Sequence, residues 1–500
     1  MTHISAHQLI TEILDPDTFR SWGAPPHYTN ISTEYQQALH RAREKSGVDE
    51  AVVTGEGQVF GTRVAFVLSE FRFLGGSIGA ATARRIIDAI HRATAEKLPL
   101  LISPASGGTR MQEGTPAFAL MVSITTAVYR HKDAHLPFLV YLRNPTTGGV
   151  FASWGSAGHL TFAEPNALLG FLGPRVVELT TGTTIPEGVQ RGEHLAHQGV
   201  IDGVISPRQL RMAVRKITNV LLTPSATSKP PLSPVEQTPK QHAWDSILAT
   251  RRADRPGLRE FLAALGSDNV IELSGTDDGH TSPAIKVVLA RIADQPVVII
   301  GQDRRHQPPH ASTELGPAAL RFARRGIALA HSLQIPLVSI IDTPGAELSA
   351  AAEEQGLARS IARTLGELVD VDVPTVSVIL GQGCGGGALA MLPADKVLAA
   401  ACGWLSPLPP EGASAIIYRD TTHAPEMMEA QGVSAAALLA TGIIDEVIPE
   451  LPSADVEPVA FISRVIEHIG YSLWELENAP QRLGREQRFR HYERLADVLG

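Results

Sequence analysis

PLLISPASGG at 99–108 and PFLVYLRNPTTGG at 137–149 decide the fold, because the pattern returns as PLVSIIDTPG at 336–345 and PTVSVILGQGCGGG at 374–387. Pro99 stands 38 residues before Pro137, and Pro336 stands 38 before Pro374. Eleven residues after the second proline of each half comes a glycine run, at Gly148-Gly149 and at Gly385-Gly386-Gly387. A proline that opens a short β-branched or leucine-rich run, followed by glycine, reads as a strand with a tight exit. The same phase across prolines and glycines marks an internal repeat, which organises everything else.

Outward from these runs, the halves keep one order. TRVAFVLSEF (62–71) reads as a strand or hairpin, and SIGAATARRIIDAIHRATAEK (77–97) and TPAFALMVSITTAVYRHKD (115–133) as helices. LRFARRGIALAHSLQ (320–334) and EEQGLARSIARTLGELV (353–369) are the matching helices of the second half. Apolar residues at three- and four-residue spacing support each helix. Alternating strands and helices imply parallel strands joined by right-handed crossovers, hence an α/β fold. PEG occurs at 186–188 and again at 410–412, and VIDGVIS (200–206) and IIDEVIP (443–449) close the two halves. Between them TPSATSKPPLSPVEQTPKQ, with five prolines, reads as an exposed linker. The expected organisation is a domain at 1–222, a linker at 223–241 and a domain at 242–500.

Composition narrows the function classes. With 44% hydrophobic residues and a mean hydropathy of +0.03 the chain can bury large cores. It has no uninterrupted apolar run of the roughly 18 residues that a membrane span needs. MTHISAHQLITEILD lacks the basic and apolar regions of a secretory leader. Cys384 and Cys402 are too few for a disulfide framework or a four-cysteine zinc site. A net charge of −9 and a pI near 6.1 argue against nucleic acid as a partner. The expectation is a cytoplasmic protein with neither a membrane nor a nucleic-acid partner.

Glycines at strand ends and helix starts put backbone N–H groups where α/β folds bind ligands. Paired amides of this kind can form an oxyanion hole, each donor contributing roughly 3 kcal/mol to a developing negative charge. Four pairs in register suggest two such holes, although each pair alone also reads as a tight turn. Gly381–Gly386 fits GxGxxG, but no acidic residue follows about 20 positions on at a strand end, so a dinucleotide site is not expected. Asp342-Thr343-Pro344-Gly345 resembles a GTPase DxxG, yet no GxxxxGK[ST] accompanies it. No Ser-His-Asp arrangement or metal cluster stands out. Arg110 and Glu113 are expected to brace the first glycine loop, and Cys384 to be a small buried residue. The arginines of RLGREQRFRHYERL (482–495) read as a solvated helix face.

At these residues a family becomes recognisable. SGGTRMQEG (106–114), FLGGSIG (73–79), NPTTGGVFAS (144–153) and AEPNALLGFLGPRV (163–176) closely resemble the β subunit of bacterial acetyl-CoA carboxylase carboxyltransferase. GQGCGGGALAM (381–391), IDTPGAELSAAAEEQGLARSIARTL (341–365) and PEGASAIIYRD (410–420) resemble its α subunit. The chain is thus similar to a β–α fusion of the crotonase superfamily, which implies two tandem crotonase-fold (ClpP/crotonase-like) domains. The resemblance implies that acyl-CoA binds mainly to the first domain and carboxybiotin to the second, in at least a homodimer. Gly107 and Gly108 would hold the thioester enolate oxygen, and Gly386 and Gly387 the ureido oxygen of biotin. Gly149 and Gly345 rank next, and Gly75, Gly76, Gly148 and Ala346 complete the implied substrate-binding set. No side-chain base is implied. The chain lacks the four-cysteine zinc ribbon of typical β subunits, so no zinc or other metal is expected. It also lacks a biotinylation motif and an ATP-grasp signature, so biotin would arrive on a separate carrier protein charged by a biotin carboxylase subunit. Glu347-Leu348 stands where the family commonly has Tyr-Pro, which leaves the acyl pocket open.

The implied activity is carboxyl transfer to acetyl-CoA or another short acyl-CoA. A biotin-linked malonyl or glutaconyl thioester decarboxylase subunit would carry the same motifs. A non-catalytic scaffold subunit of a carboxylase complex is the alternative of another class.

Overall fold

Each proline-led run forms a strand in the computed structural model, which describes residues 4–29, 31–225, 228–233, 241–276, 279–306, 313–479 and 484–499. The chain divides into two units, Met1–Leu221 with Asp277–Gly279, and Leu222–Thr276 with His280–Gly500. Part of the Pro-rich segment 223–241, namely 226–227 and 234–240, lies outside the described residues.

The first unit is built on one sheet whose strands stand in chain order: β1 Arg20–Ser21, β2 Val52–Val59, β3 Thr62–Ser69, β4 Leu100–Ser103, β5 Phe138–Leu142, β6 Leu160–Ala163 and β7 Gly203–Val204. β1–β2 and β2–β3 pair antiparallel, and every later step is parallel. The second unit has the same plan: β8 Val270–Glu272, β9 Ile285–Ile292, β10 Gln295–Gln302, β11 Leu337–Thr343, β12 Thr375–Cys384, β13 Lys396–Ala400 and β14 Glu446–Ile448. Again the first two pairings are antiparallel and the rest parallel. Parallel neighbours need long crossovers, and helices supply them.

Burial explains the continuous apolar runs. Every residue of β5, β11 and β12 is buried, as expected of parallel strands covered on both faces. In the first unit, helix Ala80–Ala95 packs Ala83, Ile86, Ala89, Ile90 and Ala93 into the core. In the second, helix Pro458–Asn478 contributes Phe461, Ile462, Val465 and Ile469. Gly356, with φ +78°, divides the helix expected over 353–369 into Ala350–Glu354 and Leu357–Asp370.

The C-terminal arginines depart from a uniformly solvated face. Arg488 is fully buried: Nη2 lies 2.9 Å from Asp395 Oδ2 and 3.0 Å from the Val373 carbonyl, while Nη1 donates to three further carbonyls. A planar guanidinium can satisfy that many acceptors at once, which a charge run in a sequence does not reveal. Among the described residues no helix is long and apolar enough to cross a membrane.

Candidate active site

Where β4 ends, the chain turns sharply and almost every amide of the turn is taken. Gly107 N–H donates to the Gly75 carbonyl (3.0 Å), and Gly108 N–H to Ser106 Oγ (3.0 Å). Ile78 N–H donates to the Gly108 carbonyl and Arg110 N–H to the Ile78 carbonyl, each at 2.9 Å. Between them the amide of Thr109 has no acceptor among the described residues. Beside it starts the short helix Gly148–Phe151, whose first amide is held by the Phe171 carbonyl (2.8 Å). The next amide, Gly149, precedes any intrahelical bond and also has no acceptor among the described residues. The two lie close together: a Cβ on Gly108 would stand 3.6 Å from Gly149 N.

The second unit repeats this arrangement. Leu315 N–H donates to the Gly345 carbonyl (3.1 Å) and Glu347 N–H to the Leu315 carbonyl (3.2 Å), so the Ile78–Thr109 bridge returns as Leu315–Ala346. Gly345 N–H is held by Thr343 Oγ1 at 3.2 Å. Pro344, in the place of Gly107, has no N–H to offer. The Ala346 amide has no acceptor among the described residues, nor does that of Gly386, second residue of helix Gly385–Leu389. A Cβ on Gly387 would meet Gly345 C and O at 3.2 Å and Ala346 N at 3.3 Å, so the bare Cα keeps the ground beside that donor clear.

Of the residues expected from sequence, Gly149, Gly386 and Ala346 keep amides with no acceptor among the described residues, whereas those of Gly107 and Gly108 are taken. Gly107 and Gly108 shape the first loop but spend their own amides on it, and the unengaged pair is Thr109 with Gly149. In the second unit the corresponding pair is Ala346 with Gly386, and Gly387 acts by its missing side chain. Gly75 supplies a carbonyl to Gly107, while Gly76 (φ +63°) lies so near Ala105 that a Cβ would come within 1.9 Å of its carbonyl oxygen. Gly148 (φ +67°) opens the first helix. Gly345 (φ +143°) sits in the turn that precedes Ala346. Thr109 was missed because a backbone donor leaves no mark in its side chain. Superposing the repeats by their prolines matches Thr109 to Ala346 and Gly149 to Gly386, and would have found it.

The loops are braced differently. Arg110 is wholly buried and pairs with buried Glu50 (2.5 Å), while also bonding Thr82 Oγ1 (3.0 Å), the Ser77 carbonyl (2.8 Å) and Tyr35 Oη (3.2 Å). Burial pushes the Glu50 carboxyl up, but the hydrogen bonds and charge of Arg110 outweigh it and hold the group below its ordinary range. Tyr35 in turn donates to Glu113 Oε1 (2.5 Å), whose other oxygen caps Ala80 N–H at the start of helix Ala80–Ala95 (2.5 Å). In the second unit, Asp342 Oδ1 accepts Gln382 N–H (2.9 Å) and Arg304 Nε–H (3.2 Å). Gln302 spans the site: its Oε1 accepts Asp342 N–H (2.9 Å) and its Nε2 donates to the Gly387 carbonyl (3.2 Å).

The glycines of the GxGxxG-like run are also accounted for. A Cβ on Gly381 would stand 2.5 Å from Asp342 Oδ1, and one on Gly383 2.5 Å from the Trp404 carbonyl, so packing requires both. Cys384 is buried, and burial pushes its thiol up to about 12.

Two duplicated sheets, each ending in a pair of unengaged main-chain donors, define a crotonase-like carboxyltransferase fold. The carboxyl transferase domain model matches residues 25–468, and the chain belongs to that family. It is homologous to β subunits of biotin-dependent acyl-CoA carboxylases. It is 53% identical over 493 residues, 98% of this chain and 99% of the relative, to a probable biotin-dependent acyl-coenzyme A carboxylase beta3 subunit of Mycobacterium tuberculosis. It is 34% identical to the acetyl-coenzyme A carboxylase carboxyl transferase subunits beta/alpha of Salinispora arenicola, across 98% of this chain and 91% of that one. The fold matches the crystal structure of transcarboxylase 12S, a hexamer with methylmalonyl-coenzyme A bound, with a TM-score of 0.75 and 22% identity over 95% of this chain and 90% of that one.

Proposed function

We propose that this chain transfers a carboxyl group from carboxybiotin to acetyl-CoA or another short acyl-CoA, with both carboxyltransferase halves fused in one cytoplasmic polypeptide. The single observation that carries the proposal is the duplicated donor pair. Thr109 and Gly149 donate to the thioester oxygen as the acyl α-carbon loses its proton and charge moves onto that oxygen. Ala346 and Gly386 donate to the ureido oxygen of biotin, and the cradle that a Cβ on Gly387 would fill suits that small polar group. Carboxybiotin, brought by a separate carrier protein and charged by a biotin carboxylase subunit, supplies the carboxyl group and, once relieved of it, a basic ureido nitrogen. The protein's own contribution is orientation and fixed dipoles, which need no reorganisation as charge develops. The 53% identity to a β subunit supports this reading, as does the likeness to subunits beta/alpha for the fusion. The chain acts as a homo-oligomer.

The test uses purified chain, free biotin and malonyl-CoA or methylmalonyl-CoA, with CO2 release followed over time. Thr109→Pro and Ala346→Pro each remove an amide hydrogen that has no acceptor among the described residues, so the fold should survive while kcat falls roughly 100-fold or more. No release from the native chain, even with its biotin-bearing partner added, sinks the enzyme reading. Full activity in both proline variants sinks the donor assignment and favours a scaffold.

A further inference from the structure

The hydroxyl of Thr109 pairs with no group among the described residues, although the backbone around it is pinned. The bridge to Ile78 engages the carbonyl before Thr109 and the amide after it. A β-branched side chain on so fixed a backbone is stiff at χ1, so the hydroxyl is held without a partner of its own. A Cβ on Gly149 would stand 3.6 Å from Thr109 Oγ1, 3.5 Å from Met121 Cγ and 3.8 Å from Phe118 Cε2. The hydroxyl therefore borders the ground that Gly149 leaves open, beside both unengaged amides and with apolar side chains around it.

The second loop has nothing equivalent, because Ala346 stands in the place of Thr109. The oxygens assigned to the two loops differ in the same sense. A thioester that loses its α-proton places most of the charge on its one oxygen, whereas a ureido anion divides it between oxygen and nitrogen. A hydrogen bond to an ionised acceptor is roughly twice as strong as one between neutral groups, and apolar surroundings strengthen it further. A third donor therefore adds more at the first loop than it would at the second. We infer that the Thr109 hydroxyl is a catalytic third donor to the thioester oxygen, alongside the amides of Thr109 and Gly149. It keeps its own proton throughout, and the role rests on the assignment of the thioester to those two amides.

Two arms test it on the full chain. Thr109→Val keeps the branched shape without the hydroxyl, and Thr109→Ser keeps the hydroxyl. In CO2 release from malonyl-CoA, which leaves the same enolate, Thr109→Val lowers kcat roughly 30-fold with KM within about twofold, as loss of one hydrogen bond to a charged group implies. Thr109→Ser stays within about twofold of native kcat. The second arm needs no turnover: the infrared carbonyl stretch of bound acetyl-CoA, labelled with carbon-13 at its carbonyl, is compared with that of free acetyl-CoA. Native chain and Thr109→Ser lower the stretch alike, and Thr109→Val lowers it less. An equal lowering in Thr109→Val overturns the third donor while leaving the two amides in place. A raised KM with kcat unchanged also overturns it, since the hydroxyl would then serve ground-state binding alone. No lowering in native chain overturns the amide assignment and the hydroxyl's role together.

Discussion

The residue after the donor is arginine in the first loop and glutamate in the second. Arg110 is buried in an ion pair with Glu50 and reaches four further groups. Glu347 is half-buried, accepts the Ser349 hydroxyl (2.7 Å) and crowds Gly316 at the start of helix Pro317–Leu333. Opposite charges thus follow an unchanged backbone, down to the bridge that flanks each donor. The proposed reaction would ask chiefly for main-chain hydrogens in fixed positions, and different side chains can meet that demand.

If the first loop depends on its buried charge, Arg110→Met produces the largest loss. It leaves Glu50, 0% exposed, without its cation, a change that costs about 3–5 kcal/mol. Chemical denaturation should show it, and adding Glu50→Gln should return part of the loss, because the two residues are coupled. Glu347→Gln should alter stability by no more than about 1 kcal/mol. Equal losses at the two positions would end the contrast between the loops.

Acid provides a second contrast. His131, fully buried near the end of helix Gly114–Asp133, lies 2.9 Å from Thr94 Oγ1, and burial lowers its pKa from 6.5 to about 4. Because the folded value is the lower one, the unfolded chain takes up the proton first. The stabilising contribution is complete above about pH 6.5 and shrinks as pH falls toward 4, by about 2 kcal/mol at pH 5. Buried His159 is lowered in the same direction, first by its burial, and adds to the effect. Hydrogen exchange should therefore show β4 and β5 losing roughly 30-fold in protection between pH 7 and pH 5. β11 and β12 should change little. A uniform loss would mean that the units do not respond separately to acid.

The halves were legible because their periodicity is a property of side chains. PLLIS and PFLVYL became β4 and β5, and their counterparts β11 and β12, since buried parallel strands demand unbroken apolar runs. The glycine positions were legible for the same reason, as places where a side chain is excluded. Which amide remains unengaged was not, because Gly107, Gly108 and Thr109 carry identical N–H groups and only the folded contacts of Gly75 and Ser106 separate them. Arg488 illustrates the same limit: the five residues that accept its hydrogen bonds lie in two segments more than ninety residues away.

The smallest expected effect concerns a side-chain bond that both loops make. Ser106 Oγ accepts Gly108 N–H at 3.0 Å and lies 3.4 Å from the Gly108 carbonyl; Thr343 Oγ1 accepts Gly345 N–H at 3.2 Å and lies 3.0 Å from the Gly345 carbonyl. Each hydroxyl therefore clamps a glycine at positive φ, +109° or +143°, whose next peptide carries the donor hydrogen. Losing the clamp lets glycine relax into its other conformations, and the donor swings with it. Ser106→Ala should lower kcat about tenfold, with KM for acyl-CoA within twofold and activity retained in Ser106→Thr. In the second loop Pro344 already restricts the turn, so Thr343→Ala should lose only about threefold. A larger loss at Thr343 than at Ser106 would show that the proline does not stiffen its loop, and that both donors hang on their hydroxyls alike.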